Sequence, residues 1–271
     1  MFKVRKGSAI GKVLRKRVRV GGRAKSRDWP AKMLQSATMS QPLLVLPLIV
    51  VLPLFALTRT ASAEDVEITA EPSHHLALEN EYVRAFKVSV APHTATLMHR
   101  HRHDYVFVTL GDAMLSNEVE GKEPVQAKLS DGDTRFTPGN FAHIARNLAD
   151  TAFRNVTIEL LQDEKTRAEP SHWTKDSGEE TSGGMHGKIL FVKDGVRVSQ
   201  IELSAKSAMP KNGHDRPLLL VAVTDLELGP NADGKGSPGK ALKAGDLWWS
   251  DGPSAVINAG TGPARFVILE F

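Results

Sequence analysis

Hydrophobic residues beyond position 80 recur at alternate positions in short runs, which is the pattern of half-buried β-strands. The clearest runs are Phe86-Val88-Val90, Tyr105–Leu110, Thr134–Phe136 and Asn155–Leu161, and Gly-Asp and Pro-Gly turns lie between them. A second β-rich stretch covers residues 188–271. We find no long amphipathic helical pattern in this part of the chain, so the sequence predicts an all-β fold.

The two β-rich stretches share residues in the same order, which indicates an internal duplication. Four matches have an offset of 113: Val83-Arg84 with Val196-Arg197, His101 with His214, Gly132-Asp133 with Gly245-Asp246, and Phe153 with Phe266. The closing segments Ile158-Glu159-Leu160 and Leu269-Glu270-Phe271 fit an offset of 111. We therefore predict two β domains, at 64–162 and 188–271. The polar residues 163–187 between them are predicted to be a linker.

The first 63 residues have the order of an export signal. A basic stretch that ends near Lys32 is followed by the apolar run Pro42–Leu57 and then by Ala61-Ser62-Ala63. The apolar run is shorter than the roughly 20 residues that a transmembrane helix needs. We expect cleavage after Ala63, no stable membrane span afterwards, and a periplasmic or secreted protein.

Charge and cysteine content exclude several classes of function. Residues 1–63 carry 13 Lys and Arg and a single acidic residue, Asp28, whereas residues 64–271 carry 22 basic and 30 acidic residues. Because the predicted body is acidic, we expect no nucleic-acid partner. The chain contains no cysteine, which excludes disulfides, thiolate metal sites and cysteine nucleophiles.

The segment Met98–Tyr105 contains three alternating histidines, His99, His101 and His103. In an extended segment these side chains share one face, and several imidazoles on one face can form a divalent-metal site. A solvated loop of histidines and arginines remains the alternative. About 40 residues downstream, Gly132, Pro138 and Gly139 define turns around a strand, and His143 lies on the strand that returns.

These two segments resemble the two motifs of the cupin superfamily, G-x5-H-x-H-x3,4-E-x6-G and G-x5-P-x-G-x2-H-x3-N. Gly132, Pro138, His143 and Asn147 fit the second motif in register, and Asn140 replaces its glycine. The first motif fits less closely, since Asp104, six residues before a glycine, stands in for the glutamate. The resemblance implies two tandem jelly-roll barrels, each able to hold a metal and a small ligand at its mouth.

By this resemblance the metal ligands are His99, His101, Asp104 and His143, and His103 is a rival to His101. Asp104 is either the fourth ligand or a catalytic base near the ion. Tyr105 and Arg135 are candidates to face the same cavity. The ligand set suits Fe, Mn, Ni, Cu or Zn. His74, His75, His172 and His186 are expected to be exposed and without a role.

The second domain is predicted to have lost the site. At an offset of 113, Asn212, Pro217 and Val256 stand where the first copy has His99, Asp104 and His143, and only His214 remains. Trp248 and Trp249 are adjacent on a predicted strand, so they point to opposite faces. We expect one to pack inside the barrel and the other between the domains.

Three functions remain open for such a protein. The first is a metal-dependent enzyme, oxygenase-like or isomerase-like, that acts on a small oxygen-rich molecule. The second is a non-catalytic protein that binds a metal or small ligand as sensor, store or carrier. The third is a purely structural barrel. The partner is a small molecule in the first two cases, and exposed strands would also permit a homodimer. The fold alone does not separate these functions, because function depends on the details of the pocket.

Overall fold

The structure, a computed structural model, describes residues 65–162, 173, 177–209, 216–229, 239–252 and 255–271. Strands dominate the described residues, whose one helical element is the 3-10 turn Ile68–Ala70. They include no helix with the length and apolar character needed to span a bilayer. The strands of the first half are β1 (Val66–Glu67), β2 (His74–Glu79), β3 (Val83–Val90), β4 (His99–His101), β5 (Tyr105–Leu110), β6 (Ala113–Val119), β7 (Val125–Leu129), β8 (Thr134–Thr137), β9 (Phe141–Asn147) and β10 (Phe153–Leu160). Those of the second half are β11 (Gly178–Ser182), β12 (Met185–Lys193), β13 (Val196–Leu203), β14 (Leu218–Ala222), β15 (Leu226–Leu228), β16 (Lys240–Leu242), β17 (Leu247–Ser250) and β18 (Ala264–Glu270).

The first half folds into two five-stranded sheets that enclose one interior. Their strand orders are β1-β4-β9-β6-β7 and β2-β3-β10-β5-β8. Only β1 and β4 pair in parallel, and the other pairs are antiparallel. Apolar side chains from both sheets meet in a buried cluster of Ile68, Phe86, Val88, Val90, Ala113, Leu115, Leu129 and Phe153. The predicted runs at 86–90, 105–110, 134–136 and 155–161 all fall on strands of this barrel.

The second half has a six-stranded sheet, β11-β12-β13-β18-β14-β17, and the two-stranded sheet β15-β16. Its interior holds a cluster of 14 buried apolar residues, which includes Val256 and Phe266. Trp248 packs against this cluster. Both halves are thus jelly-roll-like, as the resemblance implied.

A third apolar cluster joins the two halves face to face. Because side chains alternate along a strand, β3 and β13 each have two apolar faces. One face points toward the strand's own barrel and the other toward the other half. Val83 and Ala85 of β3 therefore pack in one cluster with Val196 and Val198 of β13. Trp249 packs against this cluster. The prediction that the two tryptophans separate between a barrel interior and the contact between the halves is confirmed.

The duplication is visible in a repeated hydrogen-bond arrangement around two buried asparagines. Asn147 donates through Nδ2 to the carbonyl oxygens of residues 90, 91 and 151, and its Oδ1 accepts from the amide of residue 149. Asn258 donates to the carbonyl oxygens of residues 203, 204 and 262 and accepts from the amide of residue 260. Each side chain ties the strand that ends the motif to the end of a neighbouring strand. The motif asparagine is therefore a structural residue, and the second barrel has retained it.

Strand register corrects one part of the repeat alignment. Phe153 pairs with Val90, and Ala264 pairs with Leu203, so the offset is already 111 where the closing strand begins. Phe153 therefore corresponds to Ala264, and the sequence match with Phe266 was wrong. Asn147 and Asn258 are also 111 apart, which aligns His143 with position 254, outside the described residues, instead of Val256.

The predicted linker at 163–187 extends too far toward the second barrel. β11 and β12 form a hairpin that begins at Gly178 and pairs Ser182 with Met185. Every residue of β11 is exposed, which explains why its composition resembled that of a linker: an edge strand is held by backbone pairing and needs no apolar side chains. Most of residues 163–176, like the predicted signal segment at 1–63, lies outside the described residues.

We predict that Asn147→Ala and Asn258→Ala each lower the free energy of unfolding by about 2 kcal/mol, because each removes a buried amide that satisfies three carbonyl oxygens. Urea denaturation of the full-length, metal-free protein measures the effect. Asn140→Gly is the control, since Asn140 is exposed and has a φ of 62°, a conformation that glycine adopts without strain. If Asn258→Ala is as harmless as this control, the structural role of the repeated asparagine is refuted.

Candidate metal site

The site is formed by the pairing of β4 with β9. In this antiparallel pair His99 lies directly opposite His143, and His101 lies opposite Phe141. Alternation along β4 places His101 on the same face as His99. All three histidines are buried, with exposed fractions of 1% for His99, 2% for His101 and 9% for His143. The three imidazoles therefore converge in the interior of the first barrel.

The imidazole nitrogens are close enough to share an ion. One nitrogen from each of His99, His101 and His143 lies within 4.8 Å of the other two, and Nε2 of His101 is 3.2 Å from Nε2 of His143. Nitrogens that bind one ion at about 2.1 Å are about 3 to 4 Å apart. Small side-chain movements would bring all three to such distances.

Oxygen acceptors fix the orientation of two of these rings. His99 donates from Nδ1 to the carbonyl oxygen of Leu97 over 2.9 Å. His143 donates from Nδ1 to Oδ1 of Asn117 over 2.6 Å. With the proton held on Nδ1, the lone pair is on Nε2, which is the usual arrangement of a metal-ligating histidine. Asn117 on β6 had no signal in the sequence motifs and is identified by its position alone.

The chemistry of the buried nitrogens fits a metal ion. Nε2 of His99 and Nδ1 of His101 are buried without a hydrogen-bond partner in the described structure. Unpaired buried polar atoms are rare and call for an explanation, and a metal ion would supply one for Nε2 of His99. The donor set of three neutral imidazoles suits a divalent transition metal.

Burial keeps all three imidazoles in the neutral form that binds metals. Loss of solvation, reinforced by neighbouring histidines, lowers the pKa of His99 to about 4. The same causes lower the pKa of His101 to about 2 and that of His143 to about 3. At neutral pH, protons therefore compete little with a metal ion for these nitrogens.

Asp104 and His103 do not join the three histidines. Oδ1 of Asp104 accepts a hydrogen bond from the amide of Gly139 over 2.7 Å. Gly139 packs tightly on this segment, since a Cβ there would lie 2.4 Å from the carbonyl carbon of His103. β4 ends at His101, so the alternation that suggested His103 stops before it. Asp104 thus positions the turn before β9, and its place does not support the predicted ligand or base.

Tyr105 and Arg135, the two candidates to face the cavity, both line it beside the histidines. Tyr105 is four residues after His101, a position that the family's first motif can give to its glutamate. Its ring stacks on His101 with centres 4.1 Å apart, and burial raises the pKa of its hydroxyl to about 12. The space near the three histidines that a carboxylate would fill therefore holds a neutral aromatic ring.

The cavity has a volume of about 250 Å³. Apolar side chains form much of its wall, and the other lining groups are mostly neutral polar side chains: Thr96, Ser116, Asn117, Thr137, Asn155 and Thr157. Arg135 supplies a positive charge, and its side chain is half exposed, so it lies where the cavity meets solvent. The cavity thus suits a small molecule with both polar and apolar parts.

His74 was expected to be exposed, and that expectation is wrong. β2 pairs His74 with Val88, whose side chain faces the barrel interior, so His74 also points inward and lines the cavity. Its side chain is only 5% exposed. Two adjacent histidines on one strand face opposite ways, and this doublet was the signal that sequence reasoning overlooked.

The other expectations for single histidines have mixed outcomes. His75 and His186 are exposed, as expected. His172 and His214 lie outside the described residues. Among the described residues of the second half, no further group of metal-ligating side chains is found.

Comparison with solved structures supports the fold. The oxalate decarboxylase of Lactobacillus farciminis, solved as a formate complex, is 10% identical with a TM-score of 0.51, over 73% of this chain and 83% of that one. A variant of the Bacillus subtilis oxalate decarboxylase is 12% identical with a TM-score of 0.50, over 73% and 74%. A cupin domain from Bordetella pertussis is 30% identical over 32% of this chain and 90% of that one, with a TM-score of 0.31. No protein-family model matches the sequence, and no curated protein does either.

The fold and the site together define a metal-binding protein of two tandem jelly-roll barrels. The first barrel carries the converging histidines of both motifs, and the structures that share the fold at TM-scores of 0.50 and 0.51 are two-barrel cupins. The chain has the fold of the cupin superfamily.

We predict that the metal-free protein loses stability as the pH falls below about 6.5. In that range histidines bind protons in the unfolded chain but stay neutral in the folded protein. Each such histidine lowers the free energy of unfolding by about 1.4 kcal/mol per pH unit. Urea denaturation between pH 7.5 and 5 measures the slope.

His101→Asn should make this slope shallower, because it removes one of the groups that only the unfolded chain protonates. His103→Asn, outside the cluster, is the matched control and should leave the slope unchanged. Identical slopes in both variants would contradict the burial of a neutral imidazole at position 101.

Proposed function

We propose that the protein is an exported, metal-dependent cupin enzyme that acts on a small oxygen-rich molecule. The three buried imidazoles in the wall of the cavity are the observation that carries this proposal. His99, His101 and His143 would hold a divalent ion of Fe, Mn, Ni, Cu or Zn. Such an ion, when bound, supplies Lewis acidity or redox chemistry.

The residues around the histidines support a catalytic pocket for a small anion. Arg135 is half exposed and lines the cavity, so its guanidinium is placed to bind a carboxylate or another oxyanion as it enters. It lies 3.4 Å from Asp133, a contact that an incoming anion would compete with. The bound molecule would then extend from Arg135 toward the histidines.

The interior groups favour an oriented substrate over a loosely held one. Thr157 donates to Oδ1 of Asn155 over 2.8 Å in the wall of the cavity, which leaves Nδ2 of Asn155 as a donor for a ligand. Phe107, Leu115 and Leu129 supply apolar surface that keeps bulk water away from the histidines. A dry cavity strengthens the electrostatic interactions of a bound anion.

Export is proposed from the sequence pattern at 1–63, which lies outside the described residues. Cell fractionation with amino-terminal sequencing of the mature chain tests it: cleavage after Ala63 is the expected result, and an uncleaved protein in the cytoplasmic fraction would refute it.

We predict that the metal-free full-length protein takes up about one transition-metal ion per chain, and that the double variant His99→Ala/His143→Ala takes up almost none. The reason is that the variant removes two of three ligands. Elemental analysis after loading with one metal at a time gives the stoichiometry. The control is His75→Ala, an exposed histidine on β2, which should bind as the wild type does. Equal uptake by the double variant and the wild type would refute the site.

We also predict that Arg135→Gln leaves metal uptake unchanged and raises KM for small carboxylates or other oxyanions by about 10-fold or more, because it removes a charge-assisted hydrogen bond. Oxygen consumption and product analysis by NMR over a panel of such compounds provide the assay. Turnover that is lost in His143→Ala supports an enzyme. Saturable binding of the same compounds without any turnover would identify a carrier or sensor instead.

A further inference from the structure

A fourth imidazole stands beside the three-histidine group on the opposite sheet. The ring centre of His74 is 4.7 Å from that of His99 and 6.4 Å from that of His101. His74 comes from β2, which belongs to neither cupin motif. It reaches the site only because β2 pairs with β3 along the other wall of the barrel.

A buried carboxylate holds the ring of His74 in place. Oε2 of Glu71 accepts hydrogen bonds from Nδ1 of His74 over 2.5 Å and from the amide of Ser73 over 2.8 Å. Its Oε1 accepts from the amide of Leu97 over 3.1 Å. The Glu71 side chain is 1% exposed. Both oxygens are therefore occupied, and the carboxylate is fixed between β2 and the segment that leads into β4.

His74 is anchored in the same way as two of the predicted ligands. His99 and His143 each donate from Nδ1 to an oxygen acceptor, and His74 does the same with Glu71. In all three the nitrogen that remains for a metal is Nε2. Histidines that bind metals almost always donate their second nitrogen in this way, often to a carboxylate.

The site also lacks the carboxylate that the family's first motif provides. Asp104 binds the amide of Gly139, and Tyr105 stacks on His101. A divalent ion bound by three neutral imidazoles would have no anionic ligand among these residues. Glu71 offers a negative charge one imidazole away from the site.

We propose that His74 is the fourth protein ligand of the metal site and that Glu71 is its positioning residue, which also offsets part of the charge of the ion. This inference rests on the proposed function, since it assumes that the three histidines bind a metal. The nitrogens of the three are within 4.8 Å of one another, and His74 lies one ring further out beside His99.

The test is metal binding by the full-length protein loaded with Cu(II). His74→Asn keeps a donor near the position of Nδ1, so Glu71 stays satisfied, but it removes Nε2. Pulsed EPR counts the coordinated imidazoles, and we expect four in the wild type and three in His74→Asn. Zn(II) competition titrations should show an affinity lower by about 10- to 100-fold.

Glu71→Gln separates positioning from coordination. This variant should keep four coordinated imidazoles, because His74 remains, but bind Zn(II) more weakly than the wild type. His75→Ala, the exposed neighbour, should match the wild type in both measurements, and circular dichroism verifies that each variant is folded. A wild-type imidazole count and affinity in folded His74→Asn would overturn the inference.

Metal binding by the variants distinguishes an error in the three-histidine site from an error in the role of His74. If His99→Ala/His143→Ala binds metal as the wild type does, the three-histidine site itself is wrong. If that double variant loses the metal while His74→Asn retains wild-type binding and imidazole count, only the role of His74 is wrong.

Discussion

The antiparallel pairing of β4 with β9 is the constraint on which the site depends. It sets His99 directly opposite His143, and alternation along β4 then adds His101 on the same face. A slip of one residue in this register would turn His143 away from the other two. Two further contacts hold the register: the amide of Asn140 donates to the carbonyl oxygen of His101, and Asp104 accepts from the amide of Gly139. The motif residues around the histidines thus serve mainly to fix the strand pair.

The second half supports this arrangement from outside the first barrel. β3, β5 and β10 carry apolar side chains on both faces, one toward the cavity side and one toward the other half. The apolar cluster between the halves removes both surfaces from water, and burial on this scale is the main favourable contribution to folding. Burial of the histidines behind this sheet is what keeps them neutral, because loss of solvation disfavours the charged imidazolium.

The two halves share one framework and differ in their interiors. The asparagine arrangement is retained in both, with the same four hydrogen bonds around Asn147 and Asn258. The paired ions Arg84–Glu159 and Arg197–Glu270 are also repeated. The interiors differ: the second holds a large cluster of apolar side chains, whereas the first has a cavity lined by imidazoles. Residues that stabilise the backbone are needed in both copies. Metal ligands are needed only in a copy that binds an ion.

The amino-acid sequence by itself determined the β architecture, the duplication and three site histidines, because strand periodicity and motif spacing are local properties that survive in a linear pattern. It also determined that Trp248 and Trp249 face opposite ways. Only the tertiary structure decided the surroundings of the site. Asp104 holds a turn instead of the predicted ligand or base position, and Asn117, which no motif indicated, orients His143. His74 and Glu71 come from a segment outside both motifs. These outcomes depend on which strands pair and on where each strand ends, and such choices are made by contacts between residues far apart in the chain.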